Sequence, residues 1–478
     1  MSIRRSARCA RWTCCSLLVT LLGCAAFAQV GLLDRSFNLG AGANAAVNAV
    51  VVQPDGRIVI GGAFTRLNDQ AVPRLARLRE DGTVDPSFAP GAGPDDEVTR
   101  VLRLADGRWL VAGMFMHFDG EPRPGLARLS VDGRLDPAFV PPTGSGHDTN
   151  AVNGVFALAV DAQERIYVGG GDTRRWPTRF IERLLPGGGL DPDFAPVTAG
   201  WWWPVHALLP LGDGRVLAAG GAGIDGSGSG AMGGGWVVYR DDGSPDPSSV
   251  SAWRTDSVGY ALHALPDQRV LVGGVFFGTG ASRSTLFRLR PDLSPDPDFV
   301  APAYDPHGAP DGQDNVTAAQ LLPDGRLVTG GHFYEVDGHW RRHLVRTHTD
   351  GSVDVNFDTG FGFGGLEWQA VRSLAVDGEG RTLVAGDFDG FDGVRQRGLV
   401  RLLPRNDGGR SRLMIDGAPG AGLGVYGVAP AGQTNVLESS TNLVDWFPLS
   451  TNPPPLTVYP LPMGTAEIRE FFRFRALP

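Results

Sequence analysis

The chain has 478 residues and a net charge of −9, from 43 basic and 52 acidic residues, and every basic residue is an arginine. Without lysine there can be no lysine Schiff base, no phosphate-binding P-loop and no kinase-type phosphate lysine. The four cysteines, Cys9, Cys14, Cys15 and Cys24, all lie near the N-terminus, which excludes disulfides, Cys-ligated zinc and thiol nucleophiles from the rest of the chain.

The first element in chain order is an export signal over residues 1–28. Arg4, Arg5, Arg8 and Arg11 form a basic head, Leu17 to Phe27 a short apolar core, and Ala26-Phe27-Ala28 a small-residue cleavage site. The core is too short to span a bilayer. Leu22-Gly23-Cys24 resembles a lipobox, so a lipid anchor at Cys24 is the alternative to plain export to the periplasm, the cell surface or the medium. Removing the signal leaves 39 arginines against 52 acidic residues, a net charge of about −13. Those arginines are dispersed by a repeat instead of gathered in a patch, which argues against nucleic acid as a partner.

The repeat is clearest from Val47 to Phe88. VNAVVVQPDGRIVIGGAF is followed by a polar stretch through Pro73 and then by RLARLREDGTVDPSF. A residue pair ending in glycine recurs seven times, at Gly61-Gly62, Ala112-Gly113, Gly169-Gly170, Gly220-Gly221, Gly273-Gly274, Gly330-Gly331 and Ala385-Gly386. An Asp-x-x-Phe motif begins at Asp34, Asp85, Asp136, Asp191, Asp296 and Asp354, with a decayed copy at Asp246. Spacings of 51, 51, 55, 55, 50 and 58 residues indicate a repeat architecture. Each unit contains four runs of strand character, in the first Val47 to Val52, Arg57 to Ile60, Leu75 to Leu78 and Val84 to Phe88, with Asp-Gly tight turns joining the first two and the last two.

Such a unit is a four-stranded antiparallel blade that cannot bury both faces alone, so seven of them are expected to close into a ring. An Asp-x-x-Phe strand, Leu33 to Phe37, precedes the first unit, and none follows Arg401-Leu402 in the seventh. The expected fold is therefore all-β: a seven-bladed β-propeller over residues 29–404, closed by the N-terminal strand. Arg77, Arg128, Arg183, Arg288, Arg346 and Arg401 recur at one position, with Val238 in the fourth copy. Each is expected to pair with the aspartate that opens the fourth strand, because what every repeat shares serves packing. Asn68, Asp119, Asp337 and Asp392 recur after a phenylalanine and suit tight turns. Asp387, Asp389 and Asp392 lack the spacing of a calcium loop.

These residues together resemble the delta-60 repeat, a family of bacterial secreted and surface β-propeller proteins with no assigned activity. The resemblance runs from about Leu33 to Pro404, and it implies no catalytic residue. The chain departs from the pattern in units three to five, where Asp161-Ala162-Gln163-Glu164 replaces a turn, Gly171-Asp172 replaces the usual residue plus phenylalanine, and Gly223 to Gly235 is an insertion.

Tight turns on one rim leave the long connections on the other, and long loops carry function. Trp176 and Trp340 are read as lying in links from the second to the third strand, and Trp201, Trp202, Trp203, Trp253 and Trp368 in links between blades. After a linker at residues 405–420, a small β module is expected over residues 421–478, with strands near Val425, Thr434, Trp446, Leu456 and Arg469.

The function expected from the sequence is a secreted, monomeric, non-catalytic scaffold for binding or adhesion, with no cofactor and no membrane span. Its partner would be a polysaccharide or cell-envelope material taken up by Trp176, Trp201, Trp202, Trp203 and Trp253, since exposed aromatic surfaces mark interaction sites; the competing account is that Trp201, Trp202 and Trp203 wedge the gaps between blades whose repeat has decayed. The alternative is a propeller enzyme of lactonase or sugar-oxidoreductase type. In that reading His332 and Asp387, which follow the glycine pair in neighbouring units, join His206 and His263 in a metal site at the channel mouth.

Overall fold

The computed structural model describes residues 33–404, except 143–153, 172–180, 197–200, 223–233, 247–256, 279–282, 306–313, 358, 361 and 365–370, together with six strands between 412 and 476. The expected signal at residues 1–28 lies outside the described residues. The chain divides into two compact units, one of Gly31–Arg410 and one made mainly of Ser411–Pro478.

The larger unit is all-β and repeats one antiparallel sheet. The first copy is Val47–Val52, Ile58–Gly62 and Leu75–Leu78, paired in that order. The last is Val371–Val376, Thr382–Gly386 and Leu399–Leu402. Five further copies lie between them, of which the fourth and fifth are joined by the pairing of Gly221 with Val258. The first strands of successive sheets lie side by side through the series, and the first strand of the seventh sheet lies beside that of the first.

The core sits between sheets. Ile58, Ile60 and Phe64 of the first copy pack with Leu383, Ala385 and Leu399 of the seventh, and Val59 and Leu75 pack with Trp109 and Val111 of the second. Each fully buried aliphatic side chain stabilises the fold by about 1.5–3 kcal/mol. Second strands such as Ile58–Gly62 are buried at every residue because both of their faces are covered.

Two expectations about local geometry are corrected. The Asp-Gly turns are not two-residue loops. The Gln53 N–H donates to Arg57 O at 2.7 Å and the Gly56 N–H to Gln53 O at 3.0 Å, so the loop is Pro54-Asp55-Gly56, with only the glycine at positive φ (81°). This is a tight turn closed by a left-handed residue, and the Asp55 carboxylate accepts from the Arg57 N–H at 3.1 Å. The fourth strand is likewise reduced to a single bridge, such as Leu78 to Val84. It ends there because Asp85 caps a turn: its side chain accepts the Ser87 N–H at 3.0 Å, and the Phe88 N–H donates to its backbone oxygen at 3.3 Å.

That turn builds a staple. The Arg77 Nε lies 2.7 Å from the Asp85 carboxylate, and its guanidinium stacks over the Phe88 ring at 5.1 Å. The same Nε contact is 2.8 Å at Arg128–Asp136, 2.7 Å at Arg183–Asp191, 2.7 Å at Arg288–Asp296 and 2.9 Å at Arg346–Asp354. Another guanidinium nitrogen reaches the next copy, from Arg77 to Val131 O at 3.1 Å and from Arg128 to Pro186 O at 2.7 Å. The expected recurrent ion pair is therefore present, and it also ties neighbours together. Arg401 pairs with Asp34 at 2.8 Å, stacks over Phe37 at 4.9 Å, and donates to Glu80 O of the first copy at 2.6 Å.

The long links from second to third strand carry small hairpins, such as Arg66–Leu67 with Gln70–Ala71 and His339–Trp340 with Glu335–Val336. Asn68, Asp119, Asp337 and Asp392 sit at their tips with φ of 45° to 51°, in keeping with their reading as turn residues. The Asp119 carboxylate also accepts the Ala92 N–H at 2.8 Å, and Asp337 accepts the Ala303 N–H at 2.7 Å.

The smaller unit has two three-stranded sheets. One is Arg412–Ala418, Gly422–Val428 and Thr457–Pro460; in the other Asn435–Ser440 lies between Phe447–Thr451 and Phe471–Ala476. The stretch expected as a linker at residues 405–420 thus carries the strand Arg412–Ala418.

Candidate functional site

The recurring glycine pair has a structural cause that leads to the site. In all seven sheets the register between first and second strands slips by one residue at the same place, between Val47 and Ala49 in the first and between Val371 and Ser373 in the seventh. A bulge turns its extra residue out of the ladder. The carbonyl beside it then fills the space a side chain would need opposite: a Cβ on Gly113 would lie 2.1 Å from Glu97 O, and one on Gly331 2.0 Å from Asn315 O. This explains why the second residue of the pair is glycine in every copy while the first tolerates alanine. Gly113→Ala should therefore lower stability by about 1–3 kcal/mol through overpacking, read as a fall in melting temperature, whereas an unchanged melt would mean that the bulge does not set this position.

The residue at the bulge differs from copy to copy where the framework does not. In the first and second copies it is Asn48 and Thr99, each donating to the next first strand, Asn48 Nδ2 to Val98 O at 2.7 Å and Thr99 Oγ1 to Val155 O at 2.5 Å. Thr317 of the sixth copy donates likewise to Val371 O. Arg372 of the seventh returns to Asn48 Oδ1 at 2.9 Å. The third to fifth copies carry rings: Phe156 lies 6.1 Å from His206, and His206 lies 5.0 Å from Tyr260, centroid to centroid. Arg100, one residue past the second bulge, extends to donate to His206 O at 3.0 Å.

These groups have distinct electrostatics. Burial, reinforced by the positive charge of Arg100, lowers the His206 pKa to about 4, so its imidazole is neutral at neutral pH. Burial raises the Tyr260 pKa, keeping the phenol protonated. Burial and the nearby Arg372 charge lower the Arg100 pKa to about 10, which still leaves it a cation at neutral pH. The arrangement offers flat apolar faces, a neutral imidazole, a hydroxyl and a fixed guanidinium. It can bind and orient a ring-bearing polar molecule.

The residues expected to bind or ligate are placed differently. Trp176 and Trp253 lie outside the described residues. Trp201, Trp202 and Trp203 are not in a link; they open the strand Trp201–Pro210, the same strand that carries His206, and Trp201 pairs with Ala222. At ten residues that strand is longer than the first strands of the other copies, and the second strand opposite, Val216–Ala222, reaches one residue past the glycine pair. His332 is buried and stacked on His343 at 5.5 Å, Asp387 lies 3.8 Å from Arg372, and His263 Nε2 accepts the Leu321 N–H at 3.2 Å. Among the described residues no three His, Cys, Asp or Glu side chains converge as a metal site. A cavity of about 310 Å³ lies elsewhere, lined by Arg183, Asp191 and Phe194 of the third staple, groups already committed to structure.

Phe156, Arg100 and Tyr260 went unremarked in the sequence, and His206 entered only as a metal ligand. The available signal was the residue that follows the first-strand valine, or Gly259 in the fifth copy, variable where its neighbours repeat. No helix among the described residues is long and apolar enough to cross a membrane.

Comparison with known proteins gives no match among curated proteins. Among solved structures, the extracellular domain of a hybrid two-component system from B. thetaiotaomicron is similar at 10% identity and a TM-score of 0.45, over 91% of this chain and 53% of that one. The chain thus spans about half the length of that protein. An inactive virginiamycin B lyase from Staphylococcus aureus with quinupristin matches at 7% identity and a TM-score of 0.27, over 80% and 92% of the two chains. A GH43 protein from Bacillus licheniformis matches at 11% identity and 0.27, over 87% and 91%. A family described as a domain of unknown function, DUF5122, beta-propeller, matches residues 53–88, 104–139, 265–299, 322–357 and 380–408. Units three and four, which hold Phe156 and His206, fall between the matched segments. Its repeated antiparallel sheets make the larger unit propeller-like, and over those five segments the chain is similar to the DUF5122 family.

Proposed function

We propose that this is an exported, non-catalytic binding protein, a closed seven-bladed propeller of delta-60 type that takes its ligand at the long-loop end of the inner strands. The observation that carries the reading is the contrast between an unvarying staple in six copies and a bulge residue that changes from copy to copy. What all copies share serves packing, and what departs from the repeat is free to specify a ligand. Phe156, His206 and Tyr260 are the departing ring-bearing residues, and the strand that carries His206 begins with Trp201, Trp202 and Trp203. Ring faces of this kind suit sugars, so the ligand class is a polysaccharide or glycan of a cell envelope.

The test is a screen of the mature protein and of a Phe156→Ala/Tyr260→Ala variant against envelope polysaccharides. Loss of binding of at least tenfold with both proteins folded supports the reading, in line with aromatic contacts of about 0.5–1.5 kcal/mol each beyond their area. Equal binding by the two proteins would place the site elsewhere. Single Ala substitutions at Trp201, Trp202 and Trp203 extend the test: unchanged binding with strongly lowered melting temperatures would make these residues packing.

A further inference from the structure

Arg100 is the cation at this site that the fold leaves unmatched. Its guanidinium donates to two backbone oxygens, Thr99 O at 2.9 Å and His206 O at 3.0 Å, and no carboxylate among the described residues lies within ion-pairing distance. The staple arginines show the alternative, since Arg77, Arg183 and Arg346 each hold an aspartate within 3 Å. A partly buried charge without a counter-ion does not stabilise the fold, so its retention at an inner strand needs a reason. Neither the neutral His206 nor the Tyr260 hydroxyl supplies negative charge at neutral pH.

We propose that Arg100 receives the carboxylate of an acidic sugar, a uronate, whose ring lies against Phe156, His206 and Tyr260. This rests on the binding reading above and deepens it. The guanidinium fork has donors to spare after its two backbone bonds and matches a carboxylate in geometry and charge. Among the described residues the Tyr260 hydroxyl and the His206 ring nitrogens have no hydrogen-bond partner, which leaves them for ring hydroxyls. A monoanion fits better than a phosphate. The other cation nearby, Arg372, already lies 3.8 Å from both Glu97 and Asp387, and those carboxylates repel a second negative charge.

The experiment is calorimetric titration of the mature chain with D-glucuronate, D-glucose and benzoate, repeated on Arg100→Met and Arg100→Lys, with a thermal melt of each protein. The expected result is binding of glucuronate at least tenfold tighter than glucose. Arg100→Met should lose ten- to a hundredfold of glucuronate affinity, the worth of a charge-assisted forked contact, and Arg100→Lys should lose less. The melting temperature of Arg100→Met should equal or exceed that of the parent, since an unmatched charge is removed. Glucose bound as tightly as glucuronate by the parent, or glucuronate bound equally by Arg100→Met, would overturn the carboxylate. Benzoate bound as tightly as glucuronate would overturn the sugar ring. Polysaccharide binding that is lost in Phe156→Ala/Tyr260→Ala while glucuronate never binds would overturn this inference and leave the binding site in place.

Discussion

A chain begun at Gly40, lacking Leu33 to Leu39, is expected to melt far below the parent or to aggregate. The seventh sheet ends at Leu402, and its outer partner comes from the front of the chain. Leu33 bridges to Leu402, the Asp34 N–H donates to Arg401 O at 2.8 Å, and Phe37 is 2% exposed beneath the Arg401 guanidinium. Truncation removes a buried aromatic, worth about 3–5 kcal/mol, and leaves Arg401 without its carboxylate, worth about 3–5 kcal/mol more. It also opens a strand edge. Two contacts beyond the segment bear on the same closure: Arg372 with Asn48, and Arg401 with Glu80 O, which join the seventh copy to the first. A truncated protein with an unchanged melting temperature would refute closure through the N-terminal strand.

Asp354→Ala is the second large effect. The side chains of Arg346 and Asp354 are each 1% exposed and their contact is 2.9 Å, while Arg326 adds a further contact to Asp354 at 2.7 Å. Removing the carboxylate strands a buried guanidinium, and a loss of about 3–5 kcal/mol is expected in denaturant unfolding. Asp132→Ala, at an exposed pair with Arg134, should leave the melt nearly unchanged. A loss at Asp354 no greater than that at Asp132 would mean that the staple is not what holds neighbours together.

Acid should act on the same groups. Burial alone would raise the aspartates of the staples, but the serine or backbone N–H groups and the arginines outweigh it, holding Asp34, Asp85, Asp136 and Asp354 below the usual range and Asp296 at about 2. A depressed folded value means that the stabilisation is fully present above the unfolded aspartate value of about 3.9 and is lost as pH falls through the folded values. Melting temperature should therefore fall steeply between about pH 4 and pH 2, and less steeply in Asp354→Ala, which has one such group fewer.

The repeat, the strands, the recurring Arg–Asp pair and the turn role of Asn68 and Asp119 were legible from the residues, because each rests on local chemistry repeated several times. Runs of β-branched and apolar residues, a left-handed glycine after aspartate, and an arginine eight residues before its partner need no knowledge of distant chain. Where one local signal admitted two geometries, the reading failed: Asp-Gly serves both two- and three-residue loops, and Asp-x-x-Phe reads equally as strand or as turn. Side-chain capping by Asp85 decided for the turn. Trp201 to Trp203 read as link because no partner strand was visible; the extended second strand up to Ala222 made them strand.

The candidate site was hidden for a different reason. Asn48, Arg100, Phe156, His206, Tyr260 and Arg372 are separated by tens to hundreds of residues, and each taken alone is an ordinary strand residue. The sequence by itself determined the repeating sheet, its staple and the glycine at its bulge, since these follow from backbone sterics and short-range pairing. Only the tertiary structure decided which departures from the repeat meet, because side-by-side packing of the first strands brings one bulge residue per copy together, and proximity in space has no counterpart in spacing along the chain.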